Sequence, residues 1–306
     1  MTRVAVVDLG TNSTRLLVAD VDHGDVRELA RRLTITKLGE GVDETRRLRP
    51  DAVARVETCL EGYLAEADAL GADRRLAVAT SAVRDAANGR EFIAGIEGRF
   101  RLPARLLTGD EEALLTFRGV AAGHRLGALS VVIDLGGGST ELVLGDDGGA
   151  SLHRSLDIGC VRLTERFLRH DPPVPDETAA LRTFVRRLVE GTRAPELRPA
   201  QGFGVAGTVT TLATLDLGLA GEGPALVDGH VLTTARIEEL ASALSTATVA
   251  ELRERRGLHP GRAPVIAAGA LAVAEIVAAF ELESLRVSEQ DILHGAAIEL
   301  ASGGEA

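Results

Sequence analysis

The pattern of apolar and polar positions divides the chain into short β-branched runs and longer segments with helical spacing. Residues 131–133 are apolar at three successive positions, as expected of a buried strand, and a second apolar run begins at Leu142. Residues 50–69 instead place apolar side chains at helical spacing behind Pro50, which suits a first helical turn. Strands and helices alternate along most of the chain, and this order predicts an α/β protein.

The same patterns predict the remaining elements. In the first half we expect a third strand in 26–36, a strand at 76–79, a helix capped by Ser81 through Ile96, a strand at 102–107 and a helix at 109–122. In the second half we expect hairpins in 129–158, helices at 161–168, 178–190, 234–245, 248–256 and 261–280, strands at 203–205 and 285–287, and a final helix opened by Ser288.

A strand–turn–strand motif occurs twice. Residues 6–18 read VVDLGTNSTRLLV and align without gaps on residues 132–144, VIDLGGGSTELVL. The identical pairs are Val6/Val132, Asp8/Asp134, Leu9/Leu135, Gly10/Gly136, Ser13/Ser139, Thr14/Thr140 and Leu16/Leu142. The offset of 126 residues is a typical domain length, so the repeat predicts a duplicated fold.

The second copy has the composition of a phosphate site. Gly136, Gly137 and Gly138 carry no Cβ, so successive backbone N–H groups can converge on one point. Two acids, Asp134 and Glu141, flank this turn, and acids beside a phosphate indicate a divalent cation. The alternative is a glycine hairpin with ordinary solvated acids, and the repetition of the motif favours the ligand site.

The two loops DLGTNST and DLGGGST resemble the phosphate loops of the actin-like superfamily. Further stretches narrow the resemblance to the Ppx/GppA family: TSAVRDA (80–86), TGDEEALLTFRGV (108–120), DIGCVRLTERF (157–167) and VAGTVTTL (205–212). The resemblance implies two duplicated RNase H-like (actin-like) domains, each a mixed β-sheet flanked by helices, with an active-site cleft between them. We expect domains at 1–124 and 125–306, with the last helix, about 290–302, packing back on the first. It also implies a short form without the HD-like C-terminal domain of the longer members.

Two adjacent glutamates open the helix predicted at 109–122. Thr108 and Glu111 have the spacing of a capping box, which gives Glu111 a structural role. Glu112 lies about 100° further around the helix and has no such role. The resemblance assigns the catalytic base to Glu112 and places Arg84 toward the phosphate channel. The alternatives are a solvated first-turn acid and a solvated arginine.

The full predicted site combines both loops with the family motifs. The phosphate-binding residues are Gly10, Thr11, Asn12, Ser13, Arg84, Gly136, Gly137, Gly138, Ser139, Gly207 and Thr208. The predicted metal ligands are Asp134, Glu141 and Asp8, which would hold Mg²⁺, or Mn²⁺, directly or through water. For Gly207 and Thr208 a tight strand-to-helix turn is an equally good interpretation.

Composition limits the partners. A net charge of −11 opposes general nucleic-acid binding, and it requires any phosphate site to be made positive locally. No apolar run is long enough for a membrane span, and the two cysteines give no disulfide framework. We therefore expect a cytoplasmic protein that binds neither membranes nor nucleic acid. A homodimer is expected from the resemblance.

These observations predict a Mg²⁺-dependent exopolyphosphatase that releases terminal orthophosphate from inorganic polyphosphate. The first alternative is a guanosine pentaphosphate phosphohydrolase. Aromatic residues make up only 3% of the chain and tryptophan is absent, so no stacking site for guanine is evident. Alternatives of another class are an actin-like nucleotide-binding scaffold and a phosphotransfer kinase, and both require a purine pocket.

Overall fold

The computed structural model describes residues 1–192, 198–221 and 224–303. By their contacts the residues form two compact units, which are Met1–Gly123 together with Gln290–Ala306, and His124–Glu289. The last helix thus belongs to the first unit. The predicted domain bounds, 1–124 and 125–306, stay a prediction. Within the described ranges, no helix combines the length and the apolar character that a membrane crossing requires.

The first unit contains one sheet and the helices on its two faces. Its strands are β1 (Thr2–Leu9), β2 (Thr14–Asp22), β3 (Asp25–Thr34), β4 (Arg74–Ala79) and β5 (Ala104–Leu106). Its helices are α1 (Val42–Thr45), α2 (Pro50–Ala69), α3 (Ser81–Asp85), α4 (Gly89–Phe100), α5 (Gly109–Gly123) and, from the end of the chain, α13 (Ile292–Ala301).

The second unit repeats this plan. Its strands are β6 (Ser130–Leu135), β7 (Thr140–Asp146), β8 (Gly149–Leu156), β9 (Gln201–Val205), β10 (Val231–Thr233) and β11 (Ser284–Val287). Its helices are α6 (Cys160–Phe167), α7 (Pro175–Glu190), α8 (Ala206–Asp216), α9 (Pro224–Val227), α10 (Thr234–Ser245), α11 (Val249–Glu254) and α12 (Ile266–Ala279).

The sheet orders confirm the duplicated fold. The first sheet has the order β3-β2-β1-β4-β5, and the second contains the same arrangement as β8-β7-β6-β9-β11, with β10 added at the edge. In both sheets the first two strand pairs are antiparallel and the following two are parallel. The predicted fold class, two mixed sheets flanked by helices, is therefore confirmed.

Both faces of the first sheet are buried, which explains its nearly continuous apolar strands. On β1, Val4 and Val6 pack on the side of α13, whereas Ala5, Val7 and Leu9 face the other side, where α2 and α4 lie. The strand that leads into the first glycine loop is thereby fixed from two sides.

Several predicted helix bounds are wrong. The helix expected at 178–190 begins at Pro175, and the one expected at 248–256 ends at Glu254. The helix expected from Ser81 to Ile96 is two helices, because Gly89 comes so close to Val83 that a Cβ would lie 2.0 Å from its carbonyl oxygen. The helix expected from residue 261 begins at Ile266. The last helix is capped by Asp291 rather than opened by Ser288, since the Asp291 carboxylate accepts a hydrogen bond from the Leu293 amide.

Candidate active site

The second glycine loop joins β6 to β7. The Gly136 amide donates a hydrogen bond to the Ser139 carbonyl at 3.0 Å, which closes the turn. Ser139 and Thr140 are buried at its end. This loop contains the predicted phosphate-binding residues Gly136–Ser139, and their binding role stays a prediction.

The first turn of α6 holds this loop in place by donating hydrogen bonds to the carbonyl groups of the loop. The amides of Cys160 and Val161 donate to the carbonyls of Gly136 and Gly137 at 2.9 and 2.8 Å. The Nε of Arg162 donates to the Gly138 carbonyl at 2.8 Å. In a trans peptide the C=O and N–H groups point to opposite sides. The loop N–H groups that share these peptides therefore point away from α6, as an anion site requires.

This support depends on a glycine that sequence reasoning did not single out. A Cβ on Gly159 would lie 2.2 Å from the carbonyl carbon of Gly137 and 2.3 Å from the Gly138 nitrogen. Arg162 was also missed, although its guanidinium is buried beneath the loop. The signal available in the sequence was the stretch 157–163, which contains both residues.

Two acids face each other across the strands that leave this loop. Asp134 and Glu141 are direct partners in the β6–β7 register, and both are buried, at 8% and 2% exposure. Glu141 Oε1 also accepts a hydrogen bond from the Ser155 hydroxyl at 2.7 Å. Like charges opposite each other destabilise a sheet, and buried carboxylates are commonly stabilised by a cation. The pair therefore fits a hard divalent ion.

A larger carboxylate cluster is not found. The described residues contain no group of three or more His, Cys, Asp or Glu side chains that could hold a metal ion. The metal-binding roles of Asp8, Asp134 and Glu141 stay a prediction. Mg²⁺ usually binds one or two carboxylates together with water and substrate phosphates, so the metal prediction is carried by Asp134 and Glu141.

The first glycine loop, Gly10–Ser13, has the same closure but a different support. The Gly10 amide donates to the Ser13 carbonyl at 3.1 Å. The amides of Lys37 and Gly39 donate to the carbonyls of Asn12 and Thr11 at 2.9 and 2.8 Å. A turn after β3 therefore holds the loop that contains the predicted residues Gly10, Thr11, Asn12 and Ser13.

Asp8 is paired with an arginine that sequence reasoning missed. Arg15 lies opposite Asp8 in the β1–β2 register, and its Nε and Nη2 both donate to Asp8 Oδ2, at 2.9 and 2.7 Å. The other oxygen, Oδ1, is buried and has no hydrogen-bond partner among the described residues. Burial raises the pKa of Asp8, and Arg15 opposes that effect.

The same arginine reaches the last helix. Arg15 Nη1 donates to Asp291 Oδ2, and Arg31 lies 3.6 Å from the same oxygen. Burial would raise the pKa of Asp291, but the charges of Arg15 and Arg31 and the hydrogen bond to His294 hold it below its usual range.

The structure brings together two predicted residues, Glu112 and Arg84. Arg84 Nη1 donates to Glu112 Oε2 at 3.1 Å and to the Leu107 carbonyl at 2.9 Å. Glu111 makes the predicted capping box instead, because the Thr108 amide donates to its carboxylate at 2.7 Å and lowers its pKa. The helical argument that separates the two glutamates is thus confirmed in its structural part.

The third predicted turn, at the start of α8, is tightly packed. Ala206 has a positive φ of 68°, which is strained for a residue with a Cβ. The Gly207 carbonyl accepts a hydrogen bond from Arg262 at 2.6 Å, and Thr208 is buried against Gly269. These contacts explain the turn in structural terms, and phosphate binding by Gly207 and Thr208 stays a prediction.

Comparisons with known proteins identify the family. The Ppx/GppA phosphatase family model matches residues 17–302. Exopolyphosphatase 2 of Mycobacterium tuberculosis is 42% identical over 319 aligned residues, covering 98% of this chain and 99% of the relative.

Solved structures show the same fold over the whole chain. An Aquifex aeolicus Ppx/GppA family member has a TM-score of 0.84 at 31% identity, covering 100% of this chain and 99% of its own. An exopolyphosphatase-like protein has a TM-score of 0.93 at 33% identity, with coverages of 99% and 98%. The predicted enzyme class, a hydrolase acting on phosphoanhydride bonds, is confirmed by these matches. The chain belongs to the Ppx/GppA phosphatase family.

Proposed function

We propose that this protein is an exopolyphosphatase, which hydrolyses the terminal phosphoanhydride bond of inorganic polyphosphate. The observation that supports this most is the second loop, whose carbonyls are held by α6 so that its N–H groups are presented to an anion. The relative named Exopolyphosphatase 2 is similar over nearly its full length. Polyphosphate offers only repeated phosphate groups, so backbone donors are sufficient for its recognition.

Each named residue has one task in the proposed reaction. The amides of Gly137, Gly138 and Ser139 bind phosphate oxygens, and those of Thr11, Asn12 and Ser13 do the same at the first loop, because the Gly136 and Gly10 amides close their own turns. Glu112 accepts a proton from the water that attacks the terminal phosphorus. Arg84 orients the Glu112 carboxylate through their 3.1 Å contact. The products are orthophosphate and a chain shortened by one phosphate.

Asp134 and Glu141 are the residues that would hold Mg²⁺ or Mn²⁺. When bound, such an ion neutralises phosphate charge and stabilises the charge that develops on the leaving oxygen. Asp8 contributes less, since Arg15 already occupies its Oδ2 atom. A homodimer, expected from the resemblance, and a cytoplasmic location, expected from the composition, remain predictions.

The test of the mechanism separates the two glutamates. Glu112→Gln keeps the side-chain shape but cannot accept a proton, so kcat should fall by about 10²–10⁴-fold. Glu111→Gln is the matched control, because glutamine also completes a capping box and should keep kcat near wild type. Thermal unfolding of both variants checks that neither substitution destabilises the first turn of α5. A larger loss at Glu111 would contradict the assignment.

The substrate is tested by orthophosphate release from long polyphosphate, tripolyphosphate, guanosine pentaphosphate and ATP, each with and without Mg²⁺. The proposal predicts the highest kcat/KM for long polyphosphate. A preference for guanosine pentaphosphate would make the protein a pentaphosphate phosphohydrolase instead. Turnover of ATP with transfer to an acceptor would indicate a kinase.

A further inference from the structure

The first glycine loop is tied to the far end of the chain by one partly buried arginine. Arg15 is 15% exposed at its side chain and contacts two carboxylates, Asp8 and Asp291, which are 6% and 4% exposed. Arg15 and Asp291 are separated by 276 positions in the sequence. All three residues belong to the first unit.

Asp291 is held rigidly by the packing of its helix. A Cβ on Gly119 of α5 would lie 2.0 Å from the Asp291 carbonyl oxygen, and a Cβ on Gly295 of α13 would lie 1.9 Å from that of Leu115. The Asp291 carboxylate also caps α13, through Oδ1 and the Leu293 amide at 3.0 Å. Its other oxygen, Oδ2, is therefore left in a fixed place for Arg15.

The consequence for Asp8 is an asymmetric carboxylate. Two Arg15 donors occupy Oδ2, and Oδ1 is buried with no partner in the described part of the chain. A Cβ on Gly10 would lie only 3.5 and 3.7 Å from the two Asp8 oxygens, so this carboxylate packs directly against the loop turn. A buried carboxylate oxygen that accepts no hydrogen bond destabilises the folded protein unless a ligand or a water molecule donates to it.

We propose that Asp291 is a positioning residue for the first loop: it holds Arg15 against Asp8 Oδ2, so that Oδ1 remains the acceptor for a water molecule at the bound phosphate chain. This inference rests on the proposed function of the loop. It predicts that α13, which carries none of the loop, influences kcat through one ion pair at its N-cap.

The test uses Asp291→Asn, because asparagine caps a helix as well as aspartate does but lacks the charge that holds Arg15. Asp20→Asn is the matched control. Asp20 is also buried on the same sheet and also binds two arginines, Arg3 and Arg27, but it does not contact the loop. We expect kcat to fall about five- to tenfold in Asp291→Asn with KM changed less than about twofold, whereas Asp20→Asn keeps kcat.

A double-mutant cycle with Asp8→Asn identifies the route of the effect. If Asp291 acts through Asp8, then Asp291→Asn should change kcat less than about twofold in the Asp8→Asn background. Equal losses in both backgrounds would overturn the proposal, and so would an unchanged kcat in the single variant. Should Asp291→Asn fail to fold, Asp291→Ser provides a second neutral cap for the same cycle.

The cycle is measured on whichever phosphorylated substrate the wild-type protein hydrolyses fastest. A wild type that is inactive on polyphosphate but active on another of the four substrates would contradict the proposed function while leaving the cycle intact. A wild type active on polyphosphate with an additive cycle would contradict only the positioning role.

Discussion

The two glycine loops share a sequence but differ in the residue that faces the leading aspartate. Asp8 faces Arg15 across β1 and β2, whereas Asp134 faces Glu141 across β6 and β7. Arg15 and Glu141 occupy the same place in the repeat, 126 residues apart. One difference in charge thus makes an ion pair in the first copy and an acid pair in the second, and only the second suits a cation.

The supports of the loops differ as well. A turn at Lys37 and Gly39 holds the first loop, and the first turn of α6 holds the second. The duplication therefore preserved the turn itself, with its closing hydrogen bond near 3 Å in both copies, but not what lies behind it. We propose that the copies have separate tasks, cation binding in the second and a neutralised carboxylate in the first.

The largest effect should come from making the second copy resemble the first. Glu141→Arg would pair with Asp134 as Arg15 pairs with Asp8 and would exclude a cation. Because a bound metal supplies several kcal/mol of charge stabilisation, kcat should fall about 10³-fold and no longer respond to Mg²⁺. Glu254→Arg, at an exposed position of α11, is the control for the change in net charge. A variant that kept its Mg²⁺ response would refute the assignment.

A smaller effect should separate the two supports. Gly159→Ala places a Cβ against the backbone of Gly137, which cannot move without displacing the loop, so kcat/KM should fall about ten- to hundredfold. Gly39→Ala meets the Thr11 side chain at 2.3 Å, and we expect a milder loss because a side chain can adjust. Gly62→Ala, with nothing within 4 Å, should keep full activity. A larger loss of kcat/KM in Gly39→Ala than in Gly159→Ala would show that the two loops do not differ in how they are supported.

The smallest effect concerns the buried arginine of α6. Arg162→Met removes the donor to the Gly138 carbonyl, and a buried carbonyl without its partner weakens the presentation of the loop. We expect KM to rise about three- to tenfold with kcat nearly unchanged. Arg166→Met, on the exposed side of the same helix, is the control, measured with the same polyphosphate titration. An equal change of KM in both variants would show that Arg162 only stabilises the fold and does not act on the loop.

Local patterns predicted the α/β class and the duplication, and the family resemblance supplied the actin-like architecture. The ungapped repeat predicted the duplication, and the bounds of α2 and α10 were predicted correctly because their spacing and caps are local. The helix expected from Ser81 to Ile96 was wrong because its break depends on the approach of Gly89 to Val83, a contact between two helices.

The site was predictable where the interacting residues are close together in the sequence. The capping box of Thr108 and Glu111 followed from their spacing. The role of Arg15 did not, because its partner Asp291 lies 276 positions away. Arg162 was missed for a similar reason, since its contact with Gly138 depends on how α6 docks under the loop.

The central claim, that the acid pair of the second copy binds the cation, is tested most directly by Mn²⁺ binding measured with electron paramagnetic resonance. The titration compares the wild type, Glu141→Gln and Asp8→Asn, each with orthophosphate present. We predict that Glu141→Gln weakens Mn²⁺ binding about tenfold or more, since a full carboxylate is lost from the pair, and that Asp8→Asn weakens it much less. Wild-type affinity in Glu141→Gln, or a greater loss in Asp8→Asn, would contradict the account.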